Sequence, residues 1–230
     1  MKPICIIQNC HTETPGIIAN HFDNNQIHFI HAHSYRGDEL PEVKKIGAAI
    51  ITGTPVSARD YARYDYLRSL YDFLHEAVKF HLPLLGICFG GQLLSMVMGG
   101  EVTRNPVREI GIFEIHLTNA GRNDTLFAGF DKSFKAFQWH ADTFSIPPGA
   151  EMLAEGDLCR NQAFRKGNSL GIQFHFDLRL EEIPGWCDTY HKELEEEGLV
   201  KEKIVSDFTV HAALLSQYNS RLLDNFLAVF

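Results

Sequence analysis

Residues 84–92 read Leu-Leu-Gly-Ile-Cys-Phe-Gly-Gly-Gln. A short apolar run leads into Gly86-x-Cys88-x-Gly90, and apolar residues at helical spacing follow directly, closed by Gly99–Gly100. Such a run predicts a buried β-strand, a sharp turn and a helix. The same order with a nucleophile at its centre is the layout of a nucleophile elbow, here with cysteine in place of serine.

The residues of this turn suit nucleophilic chemistry. A sharp strand-to-helix turn forces the central residue into a strained backbone conformation, and Gly86 and Gly90 remove side chains that would collide across it. The helix N-terminus favours thiolate over thiol at Cys88, and the backbone N–H of Phe89 points toward a developing oxyanion. Taken alone, the motif leaves a second interpretation open, in which Cys88 is a small buried apolar residue.

The segments around this turn alternate between strand and helix patterns. Short apolar runs predict buried parallel strands at residues 4–8, 27–32, 48–52 and 82–87, and helical spacing predicts a helix over 58–80. Further strands are predicted at 111–118, 134–139, 163–165 and 170–175, with a hairpin turn at 166–168, and helices from 184 onward. The pattern predicts an α/β fold with a central, mostly parallel mixed sheet and helices on both faces.

The bulk composition excludes several classes of protein. The chain has 230 residues, of which 45% are hydrophobic and 22% charged, as in ordinary globular domains. A formal net charge of -8 disfavours nucleic acid as a partner. No apolar run approaches the roughly 20 residues that span a bilayer, and the apolar run near the N-terminus is too short for a signal peptide. We therefore expect neither a membrane nor a nucleic-acid partner.

The cysteines indicate a reducing compartment, and the histidines raise the question of a metal. The chain has five cysteines, Cys5, Cys10, Cys88, Cys159 and Cys187. Their number is odd and no pair has CxxC spacing, which disfavours a disulfide framework and favours the cytoplasm. His31 and His33 alternate along a predicted strand and so share a face. They could bind a metal, but no third ligand is suggested nearby. We therefore expect no metal and no cofactor.

Four ordered segments resemble the class I (triad-type) glutamine amidotransferases. Gly86–Gln92 is similar to the nucleophile motif of that family. The other three resemble its glycine-rich oxyanion loop, its His-Gly-Asp segment and the segment of its catalytic histidine: residues 51–55, 138–142 and 171–177. The resemblance implies a flavodoxin-like catalytic domain over residues 1–183. Residues 184–230 resemble the helical extension of stand-alone proteins similar to the amidotransferase domain of GMP synthetase, packed on the same domain.

The resemblance implies a role for each matching residue. Cys88 is the nucleophile, His175 its base, and Asp177 the acid that orients the imidazole. The oxyanion would be bound by backbone N–H groups of Phe89 and the Thr54 region. The residues expected to contact the substrate, in part through their backbone, are Gln92, Gly53, Ala141 and Asp142.

The chain departs from the family pattern in ways that affect the site. Phe176 and Asp177 stand where the family usually has proline and glutamate, so the shorter acid requires a closer backbone approach. Thr54 stands where a second glycine is usual, and Val56 replaces a position that is often small or polar. His140 is a rival base, but the Gly-x-Gln-Phe-His context favours His175.

These residues leave three functions open. The first is a glutaminase that releases ammonia from glutamine for a separate synthetase subunit, since no P-loop or other nucleotide signature is present. The second is a free-standing hydrolase of γ-glutamyl peptides. The third is a non-catalytic regulatory module, which the intact cysteine and histidine argue against.

Overall fold

The computed structural model describes residues 2–229. The two ends of the predicted domain ranges, residues 1 and 230, lie outside them. The strands are β1 (Ile4–Gln8), β2 (Phe29–His33), β3 (Ala48–Ile51), β4 (Leu84–Ile87), β5 (Val102–Leu117), β6 (Ser133–Phe144), β7 (Glu151–Gly156), β8 (Ala163–Lys166) and β9 (Ser169–Ile172). The helices are α1 (Gly16–Asn24), α2 (Asp65–Lys79), α3 (Phe89–Val97), α4 (Asn119–Asn123), α5 (Ile183–Thr189), α6 (His191–Glu196) and α7 (Lys201–Leu227).

Within residues 2–229 all nine strands form one sheet, in the order β2-β1-β3-β4-β9-β8-β7-β5-β6. The strands β2, β1, β3, β4 and β9 are parallel to one another. The remaining pairings are antiparallel. The predicted mixed α/β class is confirmed. Because β4 lies between β3 and β9, the three segments that follow these strands meet at one edge of the sheet.

Alternate residues of the parallel strands belong to two separate hydrophobic cores, because successive side chains point to opposite faces of the sheet. Ile4 and Ile6 pack with residues of α1 and α7. Cys5 and Ile7 pack with residues of α2 and α3 on the other face. Helices therefore cover both faces of the parallel part, as fully apolar strands require.

The C-terminal helices pack on the body of the molecule. The apolar stripe of α7 places Leu222, Leu223 and Phe226 in the same core as β1 and α1. A third core joins α5, α6 and α7 to β5 and β6 through aromatic residues, including Trp139, Trp186 and Phe208. No helix within residues 2–229 has the length and apolar character needed to cross a membrane.

Several element boundaries differ from the sequence-based predictions. The helix predicted over 58–80 begins as a 3₁₀ segment, Ala58–Arg63, and continues as α2. The strand β5 begins nine residues before the predicted 111, and its register with β6 shifts between Arg104 and Glu109. The strand β7 was missed, because its sequence, Glu-Met-Leu-Ala-Glu-Gly, has neither clean alternation nor a continuous apolar run. The predicted hairpin turn at 166–168 joins β8 to β9.

The turn between β4 and α3 is built on close backbone contacts. A Cβ atom added at Gly86 would lie 2.4 Å from the carbonyl carbon and oxygen of Gly90. A Cβ atom added at Gly90 would lie 2.3 Å from the carbonyl oxygen of Ile51 on β3. Both distances are impossible for a real side chain, so these glycines allow α3 to begin directly against the sheet.

We expect Gly86→Ala to lower the free energy of unfolding by about 3 kcal/mol, at the upper end of overpacking costs, because the atoms it meets are backbone. Gly185→Ala is the matched control, since a Cβ atom at Gly185 in α5 meets nothing within 4 Å. It should raise stability by about 0.5–1 kcal/mol. Urea unfolding followed by circular dichroism measures both. Equal urea midpoints for the two variants would contradict the close contact between Gly86 and the backbone of Gly90.

Candidate active site

Cys88 occupies the predicted strained turn. It is the residue between β4 and α3, with φ 50° and ψ -109°, a left-handed backbone conformation that is rare outside glycine. Its backbone N–H donates to the carbonyl of Ile172 at 2.9 Å, and its own carbonyl accepts from the Gln92 N–H at 2.9 Å. These bonds hold the strained residue, so its side chain projects into the space above the sheet edge.

His175 is held by a short segment that follows β9. The predicted strand over 170–175 ends at Ile172, and His175 instead forms a single bridge to β6, where its N–H donates to the Phe137 carbonyl at 2.8 Å. The Nδ1 of His175 lies 3.0 Å from Oδ1 of Asp177, and both side chains are 1% exposed. Because the ionised carboxylate only accepts, Nδ1 carries the proton and Nε2 is left for the thiol. The shorter acid therefore does reach the imidazole.

The thiol and the imidazole shift one another's pKa. Burial by itself would lower the pKa of His175, but the charges of Asp177 and Cys88 outweigh it and hold this pKa well above its usual range. Burial raises the pKa of the Cys88 thiol above its usual value, while the charge of His175 acts to lower it. The buried Nε2 of His175 has no hydrogen-bond partner among residues 2–229. Each charged form stabilises the other, as expected of a coupled imidazolium–thiolate pair.

A cavity of about 160 Å³ opens above Cys88. It is smaller than the roughly 300–1,000 Å³ of sites for drug-sized ligands, so it suits a small polar molecule. The predicted site residues on its walls are Thr54, Phe89, Gln92, Ala141 and Asp142. Gly53, also predicted, lies against Glu13 and the His175 ring.

The cavity wall formed by Asp142, near the end of β6, is held by several hydrogen bonds. The side-chain amide of Gln92 donates to the Asp142 carbonyl at 3.0 Å and to Oε1 of Gln173 at 3.3 Å. The Asp142 carboxylate accepts from Ser57 Oγ and from Arg59, whose guanidinium nitrogen lies 3.2 Å from Oδ1. The bond from Gln92, a residue of α3, fixes this part of β6 relative to the elbow.

The rival histidine, His140, has both ring nitrogens engaged. Its Nδ1 lies 3.0 Å from the Asp142 carbonyl, and its Nε2 lies 2.8 Å from Oε2 of the buried Glu109. A carbonyl only accepts, so Nδ1 carries a proton, and the carboxylate occupies Nε2. Neither nitrogen is left for Cys88. This geometry favours a structural role for His140, which ties β6 at Asp142 to Glu109 of β5.

Glu109, His140 and Cys159 form a buried group of metal-binding residue types, with ligand atoms within 4.8 Å of one another. Within residues 2–229 it is the one such group of three, and it does not include His31 or His33. In this structure the Glu109 carboxylate bonds to His140 and to the Gln162 amide at 3.1 Å, so the charges in the group are satisfied by protein.

Several residues that line the cavity were not predicted from the sequence, among them four with charged or hydroxyl side chains close to the candidate site. Glu13, Arg59, Tyr190 and Glu193 all line the cavity, although they come from different parts of the chain. Glu13 had one usable signal, because it lies in the segment after β1 and ligand sites in such sheets lie beyond the carboxyl ends of the strands. Arg59, Tyr190 and Glu193 had no sequence pattern that would have marked them.

Comparison with known proteins shows which family the chain resembles. A family model for class-I glutamine amidotransferase matches residues 19–183. The glutamine amidotransferase-like protein YfeJ of Salmonella typhimurium is 30% identical over 167 residues, 70% of each chain. A glutamine-hydrolyzing GMP synthase subunit of Methanocaldococcus jannaschii is 28% identical over 141 residues, 60% of this chain and 68% of that one.

Solved structures extend the likeness to the whole chain. A glutamine amidotransferase of Methylobacillus flagellatus superposes with a TM-score of 0.90 at 29% identity, covering 100% of this chain and 96% of that one. A Thermotoga maritima glutamine amidotransferase, 24% identical, has the same fold, with a TM-score of 0.90 over 98% of both chains. On the match of the family model and of the Salmonella relative, the chain belongs to the class I glutamine amidotransferase family.

Proposed function

We propose that the protein is a glutaminase, which hydrolyses the side-chain amide of glutamine through a thioester on Cys88. The observation that carries the proposal is the strained Cys88 at the floor of a small polar cavity, coupled to a buried His175 that Asp177 orients. Members of this family are cysteine-based amidohydrolases, and the contact of His175 with Asp177 and its charge coupling to Cys88 support the same chemistry here.

The reaction has two halves. The Cys88 sulfur attacks the amide carbon of glutamine while His175 takes the thiol proton, giving a tetrahedral oxyanion. His175 then protonates the departing nitrogen, the carbon–nitrogen bond breaks, and ammonia leaves a glutamyl thioester. In the second half His175 takes a proton from water, and the resulting hydroxyl attacks the thioester carbon. The carbon–sulfur bond breaks, His175 returns its proton to the departing sulfur, glutamate is released and the Cys88 thiol is restored.

The backbone is the proposed source of oxyanion stabilisation. Phe89 at the start of α3 and Thr54 in the loop after β3 line the cavity, and we assign the stabilisation of the oxyanion to their backbone N–H groups. Donors fixed before the reaction stabilise developing charge more effectively than solvent, because they do not reorganise. We assign recognition of the amino-acid end of the substrate to Gln92, Gly53, Ala141 and Asp142.

The acceptor of the ammonia is the second part of the proposal. The Methanocaldococcus relative is one subunit of a GMP synthase, a name that implies a companion chain. By this likeness we propose that the protein delivers ammonia to a separate synthetase subunit. Five free cysteines within a fold of this type fit a reducing compartment, which supports a cytoplasmic location.

A γ-glutamyl peptide hydrolase is the alternative that one observation favours. Arg59 and Arg104 line the cavity with side chains 49% and 57% exposed, so their guanidinium groups face solvent at its mouth. Both lie within ion-pair distance of Asp142, at 3.2 and 4.0 Å. Exposed cations at this position would attract the terminal carboxylate of a peptide attached to the γ-glutamyl group.

The substrate assay is the first test. We expect the protein to convert glutamine to glutamate and ammonia in equal amounts, and Cys88→Ala and His175→Ala to lower the rate by about 10³-fold or more. Cys5→Ala, which changes a buried cysteine of β1, is the control and should retain activity. Ammonia and glutamate are measured with glutamine and with a panel of γ-glutamyl peptides. Cleavage of the peptides alone would establish the alternative, and full activity in Cys88→Ala would overturn both.

The second test concerns Asp177. We expect Asp177→Asn to lower kcat by ~10- to 100-fold, because the amide disfavours the required tautomer of His175, while a cysteine nucleophile depends less on its third partner than serine does. Asp177→Glu should also lose activity, since the side chain is fully buried and already reaches Nδ1 at 3.0 Å. Steady-state kinetics, with circular dichroism to confirm folding, measures both. An unchanged kcat in Asp177→Asn would show that Asp177 has no part in catalysis and that Cys88 and His175 suffice.

A further inference from the structure

Glu13 is a buried acid that the reaction described above does not use. It lies in the loop between β1 and α1 and is 5% exposed. Its Oε1 accepts a hydrogen bond from the Tyr190 hydroxyl at 3.3 Å. Its Oε2 is shielded from solvent and has no hydrogen-bond partner within residues 2–229. Burying a carboxylate oxygen without a partner is costly, so the position calls for a compensating interaction.

The compensating group is the imidazole of His175. A Cβ atom placed on Gly53 would lie 2.0 Å from Oε2 of Glu13 and 3.3 Å from Cε1 of His175. The carboxylate oxygen and the ring carbon therefore flank the same point, and only a glycine leaves them room. The absent side chain at Gly53 is what lets Glu13 approach the ring.

His175 is thus flanked by two acids. Asp177 holds Nδ1 through a hydrogen bond of 3.0 Å, while Glu13 approaches the edge that carries Cε1. The Cε1–H lies between the two nitrogens and bears part of the positive charge of an imidazolium ring. A carboxylate at this edge attracts that charge.

We propose that Glu13 is a second acidic positioning residue for His175, which stabilises the imidazolium through its Cε1 edge while Asp177 holds Nδ1. This inference rests on the proposed function for its catalytic meaning. It does not depend on which amide is the substrate, because Glu13 acts through His175.

The charges around Glu13 determine the direction in which it shifts the pKa values of Cys88 and His175. Burial raises the pKa of Glu13 to about 7. The charge of His175 and the hydrogen bond from Tyr190 lower this pKa. The charges of Asp177 and Glu193 raise it further. Cys10 also faces it, since its sulfur accepts the Glu13 N–H at 3.3 Å. The negative charge of Glu13 raises the pKa of Cys88 and, because charge interactions are reciprocal, that of His175.

The test compares Glu13→Gln, which keeps the shape and removes the charge, with the unaltered protein. Without the charge, the thiol ionises at lower pH and the imidazolium also loses its proton at lower pH. Both limbs of the pH–rate profile should move toward acid by about 0.5–1 unit. We expect kcat to fall about 10-fold at neutral pH with KM unchanged, because the residue acts on His175 and not on the substrate.

A second readout needs no glutamine turnover. The pH dependence of Cys88 alkylation by iodoacetamide, mapped by mass spectrometry, reports thiolate formation directly, and its midpoint should fall in Glu13→Gln. If the protein does not hydrolyse glutamine but this midpoint moves, the proposed function fails and the inference stands. If the midpoint and the pH–rate profile both stay in place, the inference is overturned, whatever happens to kcat.

Tyr190→Phe covers the case in which Glu13→Gln does not fold. It leaves Glu13 in place and removes the hydrogen bond to Oε1, which weakens ionisation of the carboxyl. The alkylation midpoint should then move in the same direction by a smaller amount. Glu42→Gln, an exposed acid with a side chain 70% exposed and paired with Lys45, is the control for loss of one negative charge. A shift in Glu42→Gln equal to that in Glu13→Gln would contradict the proposal.

Discussion

The site depends on one constraint, the contact between backbones where β4 turns into α3. Cys88 can take its left-handed conformation there because Gly86 and Gly90 allow α3 to start against the sheet. The register then places the other parts: Gly86 pairs with Ile51 on β3 and with Gly171 on β9. The segments after these two strands therefore supply the proposed oxyanion loop and His175. Any side chain at Gly86 or Gly90 would separate these partners.

The parts of the structure that local sequence controls could be predicted, and the parts that depend on distant contacts could not. The elbow was readable because its glycines and apolar run are contiguous, and the parallel strands because a fully buried strand is apolar throughout. The approach of Glu13 to His175 joins residues from opposite ends of the chain across Gly53, and no local pattern encodes it. The hydrogen bond from Arg59 to Asp142 also joins distant parts of the chain, and no local pattern encodes it. The site roles taken from the family resemblance stay predictions.

The site contains two buried histidine–acid pairs whose surroundings separate their roles. In one, His175 uses Nδ1 for Asp177 and keeps Nε2 for the thiol. In the other, His140 uses one nitrogen for Glu109 and the other for a backbone carbonyl. Buried ion pairs gain little net stability, because desolvation offsets attraction, so their value lies in fixing geometry. The second pair holds the cavity wall, and the first leaves Nε2 of His175 for the proposed proton transfer.

The C-terminal helices complete this site. Trp186 of α5 packs edge-on against the His175 ring, with centroids 5.0 Å apart and planes at 87°. Tyr190, which follows α5, donates to Glu13, and Glu193 of α6 accepts from the indole N–H of Trp139 at 3.1 Å. These contacts shield the imidazole from water, which strengthens every charge interaction within the site. The helical segment beyond residue 183 therefore helps to set the electrostatics of His175, so the boundary implied by the family resemblance divides the chain without dividing the candidate site.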